Sequence, residues 1–253
     1  MEDWEYKYQQ ASEELAALRK KHVDFLEAAS HDLHAPLRKI AVFADRISTK
    51  NAGDPEALRY IDRMKNSVSE MQSLIDNLAA LALANSGTIQ YVVCDLNAII
   101  TKTLSELQEE IEDKKVVIHS ATLPVVKGDA VQYKQLFINI LENAVKYSKK
   151  NITPEIDITA YPVEQEEMTS RRLRKDQAYY KIVITDNGIG FRPEYAERIF
   201  EPFVRLHPKS DYPGTGLGLS IARKIVTNHN GIIYAEGKEL VGAEFILILP
   251  ANP

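Results

Sequence analysis

The sequence predicts an all-α antiparallel helical hairpin that pairs into a dimeric four-helix bundle, followed by an α+β two-layer sandwich. Three observations predict it. Apolar residues recur in steps of three and four through the first 84 residues. A turn sequence, Asn51-Ala-Gly-Asp-Pro55, divides that stretch. After Asn85-Ser-Gly87 the pattern changes to short strands alternating with shorter helices.

The elements follow in order. Trp4, Tyr8, Ala11, Leu15, Leu18, His22, Phe25 and Ala29 form a heptad seam with a wide charged face, which predicts a coiled-coil linker over residues 1–21. An ordinary amphipathic helix is the competing reading. The helix runs on to about Ser48 and is expected to be interrupted by Pro36. A second helix, Pro55 to Ala84, carries Ile61, Met64, Val68, Met71, Ile75, Leu78 and Ala82. A lone hairpin cannot cover both apolar stripes, so residues 22–88 are expected to dimerise. A further domain is expected over 95–253. Its helices are Leu96–Lys114, Ala130–Lys149 and Leu217–His229. Its strands are Val116–His119, Val125–Lys127, Glu155–Tyr161, Tyr179–Thr185, Ile232–Glu236 and Glu244–Leu249. The charged stretch Pro162–Ala178 reads as a solvated hairpin tip.

Composition excludes several classes. The 253 residues are 45% hydrophobic and 26% charged, ordinary for a globular chain. Lys plus Arg is 31 against 36 Asp plus Glu, and a net charge of -5 argues against nucleic-acid binding. The longest apolar run is Leu78–Ala84, far short of the about 20 residues a membrane span needs. No signal peptide opens the sequence. The lone cysteine, Cys94, fits a reducing cytoplasm, the expected location.

Three motifs carry chemistry. Gly214-Thr215-Gly216-Leu217-Gly218-Leu219 leads into a helix, where backbone N–H groups and the helix dipole favour phosphate. Alone, the run is equally consistent with a glycine-rich turn. Asp186-Asn-Gly188-Ile-Gly190 closes a strand. Its carboxylate can accept from the amine of adenine, but a plain Asn-Gly turn is the simpler reading of this motif by itself. Asn139, Asn143, Lys146 and Tyr147 share one helix face. There an amide oxygen suits Mg²⁺, an ammonium suits phosphate and a phenol suits a nucleoside. A polar solvent-facing stripe is the alternative.

With Phe200-Glu-Pro-Phe203 between the Asp186 motif and the Gly214 run, the order along the chain resembles the sensor histidine kinases. Their ATP-binding domain, a Bergerat-type fold, belongs to the superfamily shared with gyrase, the Hsp90 chaperone and MutL. The N, G1, F and G2 boxes are matched across about Asp95 to Pro250. The resemblance implies ATP as substrate, Asn143 as the Mg²⁺ ligand and Asp186 as the adenine partner. It also implies that Asn139, Lys146 and Tyr147 line the pocket. Val204–Pro213 would be a mobile lid made positive by Arg205, His207 and Lys209. The spelling of the boxes is most similar to the phytochrome-like and hybrid subgroup.

Ser30-His31-Asp-Leu-His-Ala-Pro-Leu37 resembles the family's H box, in which the histidine accepts the phosphoryl group. A bare histidine on a helix is more often structural, and His31 with His34 hints at a metal pair. No further ligands have metal spacing, so zinc is discounted. Asp32 is expected to hydrogen-bond Nδ1–H of His31, leaving the Nε2 lone pair free for attack. Two departures stand out. The family's common Arg and Thr or Asn, three and four places after the acceptor, are replaced by His34 and Ala35. That Thr or Asn orients the water that dephosphorylates the regulator, so weak phosphatase activity is expected. The resemblance further implies a homodimer whose His31 serves a response regulator docking near Lys39, Val42 and Phe43, with bundle packing as the alternative role for these residues. An upstream sensor is expected beyond this chain. A nucleotide-gated scaffold, or an ATPase or protein-serine kinase of the same superfamily, are the rival readings.

Overall fold

The computed structural model describes residues 8, 29–30, 32–51, 53–85, 89–208, 212 and 214–252. The expected coiled-coil linker therefore lies outside the described residues except for Tyr8, which is helical. His31 and Lys209 also lie outside them. The chain divides into two compact units, residues 1–88 and 89–253.

The first unit is a helical hairpin. Helix α1 spans residues 32–50 and α2 spans Pro55–Asn85. The expected interruption at Pro36 does not occur, and helical structure runs through it. A proline removes one hydrogen bond of the ladder, and the remaining turns carry the helix on. Asp54 caps α2, its Oδ1 accepting from the N–H groups of Glu56 and Ala57. Two cross-pairs set the antiparallel register: Lys65 Nζ to Asp45 Oδ1 at 2.6 Å, and His34 Nε2 to Asp76 Oδ1 at 2.9 Å.

Burial splits each apolar stripe by alternate heptad positions. Leu37 and Ala44 of α1 and Ile61, Val68 and Ala82 of α2 are buried. Leu33, Ile40 and Ile47 of α1 and Met64, Met71 and Leu78 of α2 are exposed. The first set closes the hairpin, and the second is an apolar face that one hairpin does not cover.

The second unit holds a five-stranded sheet and a separate two-stranded one. The strands are β1 (Val92–Asp95), β2 (Val117–Ser120), β3 (Val125–Gly128), β4 (Glu155–Pro162), β5 (Tyr179–Asp186), β6 (Ile232–Lys238) and β7 (Gly242–Pro250). The large sheet has the order β2-β4-β5-β7-β6, with β2 and β4 parallel and the other pairs antiparallel. Strand β3 pairs instead with β1, a short strand with little sequence signal.

The helices are α3 (Leu96–Glu106), α4 (Gln108–Lys114), α5 (Ala130–Lys146), α6 (Gln165–Ser170) and α7 (Gly218–Asn228). The single helix expected over Leu96–Lys114 is two, divided at Leu107, whose buried side chain is held at φ -95 and ψ 11. Asp95 and Asp129 cap α3 and α5 with side-chain bonds to the first-turn N–H groups. Helix α5 packs between α3 and α7. Its Tyr133, Leu136, Phe137, Ile140 and Leu141 are fully buried. The alternation of the strands supplies the matching face: Ile156 and Ile158, Ile182 and Ile184, and Leu247 and Leu249 are almost wholly enclosed.

The stretch Pro162–Ala178 is not the solvated tip its charge implied. Helix α6 within it buries Met168 against Tyr179 and Ile248, with Val163, Leu173, Ile232 and Tyr234 around them. Its charges are paired over that small core. Glu167 meets Arg171 and Lys181, both at 3.2 Å, and the Arg171 guanidinium lies 4.0 Å from the Tyr234 ring centre.

Candidate functional site

The last turn of α5 brings the sequence motifs of the second unit together. Strand β5 delivers Asp186 on the sheet face that carries Ile182 and Ile184. Asp186 is 9% exposed. Its Oδ1 accepts from the N–H of Gly188 at 2.8 Å and of Ala243 at 3.3 Å. Both bonds fall on Oδ1, so Oδ2 remains for a ligand. Burial pushes the carboxyl up to about 6, against those two N–H bonds and the Lys149 charge.

The loop after Asp186 docks on the end of α5. The Ile189 N–H donates to the Tyr147 carbonyl at 2.9 Å. Gly188 has to be glycine there, because a Cβ would lie 2.6 Å from that same carbonyl oxygen. Gly190, at φ +61, has its Cβ position filled by the Lys238 carbonyl oxygen.

The glycine run reaches α5 from the other side. Lys146 Nζ lies against Gly214, and Asn139 lies against Gly218, where a Cβ would be 3.4 Å from Asn139 Oδ1. Gly216 is pinned to the F box, its carbonyl accepting from the Phe203 N–H at 2.9 Å. Leu217 is 1% exposed and anchors the run in the core. The Leu217 N–H donates to Thr215 Oγ1 at 3.2 Å. Leu219 is half-buried. Unlike α3 and α5, α7 has no side-chain cap on its first N–H groups.

The charge at this junction is positive. Burial holds the Lys146 ammonium below its ordinary value; Glu142 opposes the shift, while Arg205 and Lys114 add to it. Arg205 Nη2 donates to the Tyr212 carbonyl at 2.6 Å. The rings of Tyr147 and Tyr212 are 4.9 Å apart, and His207 joins them at 6.0 and 5.5 Å. The described part of the expected lid therefore meets Tyr147 at the end of α5. Tyr212, within the expected lid, and Lys114 are not among the residues expected to line the site. Lys114 donates to the Val145 carbonyl at 2.9 Å and the Lys146 carbonyl at 3.2 Å, closing the end of α5. No local spacing marks either residue, because each is brought in by tertiary packing.

The site fits a hard cation. Asn143 donates through Nδ2 to the Asn139 carbonyl at 2.8 Å. That bond uses the amide's N–H end and leaves its Oδ1 as a neutral oxygen ligand, the type Mg²⁺ accepts.

In the hairpin, the H-box stretch is part exposed, while its Leu37 is buried. Asp32 and Ala35 are exposed, as are the expected regulator contacts Lys39, Val42 and Phe43, the last two at 45% and 58%. His34 Nε2 is engaged by Asp76 Oδ1 at 2.9 Å. No helix among the described residues is long and apolar enough to cross a membrane.

Comparison with known proteins agrees with this arrangement. Residues 128–253 match the family model of histidine kinase-, DNA gyrase B- and HSP90-like ATPases. Residues 21–87 match the His Kinase A (phospho-acceptor) domain. The phytochrome-like protein Cph1 of Synechocystis sp. is 32% identical over 89% of this chain and 29% of its own length. The signal transduction histidine-protein kinase/phosphatase MprB of Mycobacterium avium is 25% identical over 94% of this chain and 45% of its own. The chain thus spans less than half the length of these curated relatives. Among solved structures, full-length ShkA in complex with AMPPNP aligns with TM-score 0.65 at 21% identity, over 91% of this chain and 46% of that one. ThkA in complex with the response regulator protein TrrA aligns with TM-score 0.58 at 24% identity, over 97% of this chain and 66% of that one. At these identities the two structural likenesses are of fold.

Proposed function

We propose that this chain, which belongs to the sensor histidine kinases, is the kinase core of a two-component system: it transfers the γ-phosphoryl group of ATP to His31 and then to an aspartate of a response regulator. In this reading residues 22–88 dimerise and carry the acceptor, and residues 95–253 bind ATP. Residues 1–21 link the core to a sensor.

One observation carries the reading. The loop after Asp186 docks on Tyr147 at the end of α5, the helix that carries Asn143 and Lys146, and the glycine run before the uncapped N-terminus of α7 lies against Lys146 and Asn139 of the same helix. A buried carboxylate oxygen can accept from the adenine amine. Guanine offers a carbonyl there and is repelled. Lys146, Arg205 and the α7 N–H groups, through the Gly214–Leu219 loop, neutralise the phosphates. Tyr147, with His207 nearby, packs on the nucleoside. Asn143 Oδ1 would hold Mg²⁺, which when bound neutralises phosphate charge.

At the hairpin, the neutral imidazole of His31 attacks the γ-phosphorus through Nε2. A P–N bond forms as the bond to the bridging oxygen breaks, and ADP leaves with that electron pair. Asp32 accepts the Nδ1–H hydrogen bond and steadies the positive charge that develops on the ring. The exposed faces of α1 and α2 support a homodimer, since two hairpins bury the residues that one leaves in water. The exposed Lys39, Val42 and Phe43 are the proposed regulator contacts.

Incubation with γ-labelled ATP tests the reading. Acid-labile, alkali-stable label is expected, and it should vanish in His31→Gln. Label that survives the substitution indicates a serine kinase, and intact ATP binding without label indicates a nucleotide-gated scaffold.

A further inference from the structure

Three amide side chains stand along one stripe of α5 at steps of four: Gln135, Asn139 and Asn143. Asn139 is the most enclosed, 3% exposed. Its Oδ1 accepts from Gln135 Nε2 at 3.2 Å, and its backbone carbonyl accepts from Asn143. Its Nδ2 is shielded from solvent and has no hydrogen-bond partner among the described residues. An unpaired buried donor costs about 1–3 kcal/mol, and native interiors hold few of them.

The place of this donor points to what completes it. The Asn139 side chain lies against Gly218, the first residue of α7. That seam is where the uncapped helix N-terminus and Lys146 offer further positive groups. The Asn139 atoms nearest Gly218 are Oδ1, Cβ and Cγ, so an acceptor of negative charge that reaches the other end of the amide would satisfy Nδ2.

An amide has an accepting end and a donating end, and its neighbour decides which one faces a ligand. Gln135 supplies a donor, so it holds the oxygen of Asn139 and leaves the NH₂ free. We propose that Gln135 is a positioning residue: its hydrogen bond to Asn139 Oδ1 turns the Asn139 NH₂ toward the phosphates of the bound nucleotide. The proposal rests on the nucleotide-binding reading. Gln135 is half-buried and acts through Asn139 without touching the ligand.

Titration calorimetry of the full chain with ADP and with adenosine, in EDTA and in Mg²⁺, tests it. Gln135→Met keeps the length of the side chain and removes the donor. It should weaken ADP binding about tenfold and leave adenosine binding unchanged. Gln135→Glu can accept but not donate, and should weaken ADP at least as much. In an Asn139→Leu background Gln135→Met should bring no further loss. Should Gln135→Met not fold, Gln135→Glu carries the same ADP-to-adenosine comparison. Equal losses for ADP and adenosine, undiminished ADP binding, or a further loss in the Asn139→Leu background would overturn the role. A wild-type chain that binds adenosine and ADP equally also overturns it. A wild-type chain that binds no ADP overturns the nucleotide reading and this inference with it.

Discussion

His229 and Asp129, 100 positions apart, are joined by a hydrogen bond of 3.0 Å from the Asp129 N–H to His229 Nε2. The other ring nitrogen donates to the Ile225 carbonyl at 2.8 Å. The ring is therefore neutral, with its proton on Nδ1. It ties the C-terminal end of α7 to the cap of α5, the two helices that frame the candidate site. It also stacks on Tyr133 with ring centres 4.4 Å apart.

Burial lowers the His229 pKa below the ordinary histidine value of 6.5, against the Ile225 hydrogen bond and the Asp129 charge. A neutral histidine in the fold and a titrating one in the unfolded chain give a definite sign. This contribution to stability is complete above pH 6.5 and is lost as pH falls below it toward the folded value. His229→Ala should cost about 3 kcal/mol and flatten that part of the pH profile, read by thermal melts between pH 5 and pH 8.

Asp186 has the opposite balance. Its carboxyl is raised from 3.8 to about 6, so its ionised form strains the fold. Its contribution to stability is greatest below pH 3.8 and is lost as pH rises through about 6. Asp186→Asn should stabilise the nucleotide-free protein at pH 7.5 by an amount on the order of 2 kcal/mol, read as a rise in melting temperature. It should also abolish the further rise on adding ATP. Wild-type ATP affinity should fall as pH drops through about 6, where the acceptor is protonated.

The hairpin separates stability from association. Val68 is buried within one hairpin and Met71 is exposed at 42%. Val68→Ala should lower the stability of the hairpin by about 1–2 kcal/mol and leave it dimeric. Met71→Glu should leave the hairpin helical and weaken the dimer at least about tenfold. Analytical ultracentrifugation together with circular dichroism distinguishes the two effects.

Ala35 is exposed on α1 and has no group to orient a water. Release of phosphate from a phosphorylated partner regulator should therefore be slow with this chain. Ala35→Thr should raise it without changing autophosphorylation. Phosphatase activity already high in the wild type and lost in other Ala35 variants, independent of ADP, would count against this.

The two-unit plan and the motif-bearing helices were legible because their signals are local. Heptad steps mark α2, apolar runs mark β5 and β7, and glycines mark places where a Cβ has no room, as at Gly188 and Gly190. The misreadings are instructive for the same reason. The charge of Pro162–Ala178 hid Met168, because Glu167, Arg171 and Lys181 pair over the small core instead of facing water. The break at Leu107 has no glycine or proline to announce it. Strand β3 read correctly as a strand, but its pairing with β1 depends on a partner with little signal of its own.

By itself the sequence determined which residues offer chemistry: a carboxylate at a strand end, two amides and an ammonium on one helix face, and a glycine run before a helix. The tertiary structure alone decided how that chemistry is tuned. Burial of Asp186, the seat of Lys146 against Gly214 and the His229 bond to Asp129 each depend on segments far apart in the chain. Residue type and spacing act within a few turns, whereas desolvation and hydrogen-bond direction are set by whatever the completed fold places alongside.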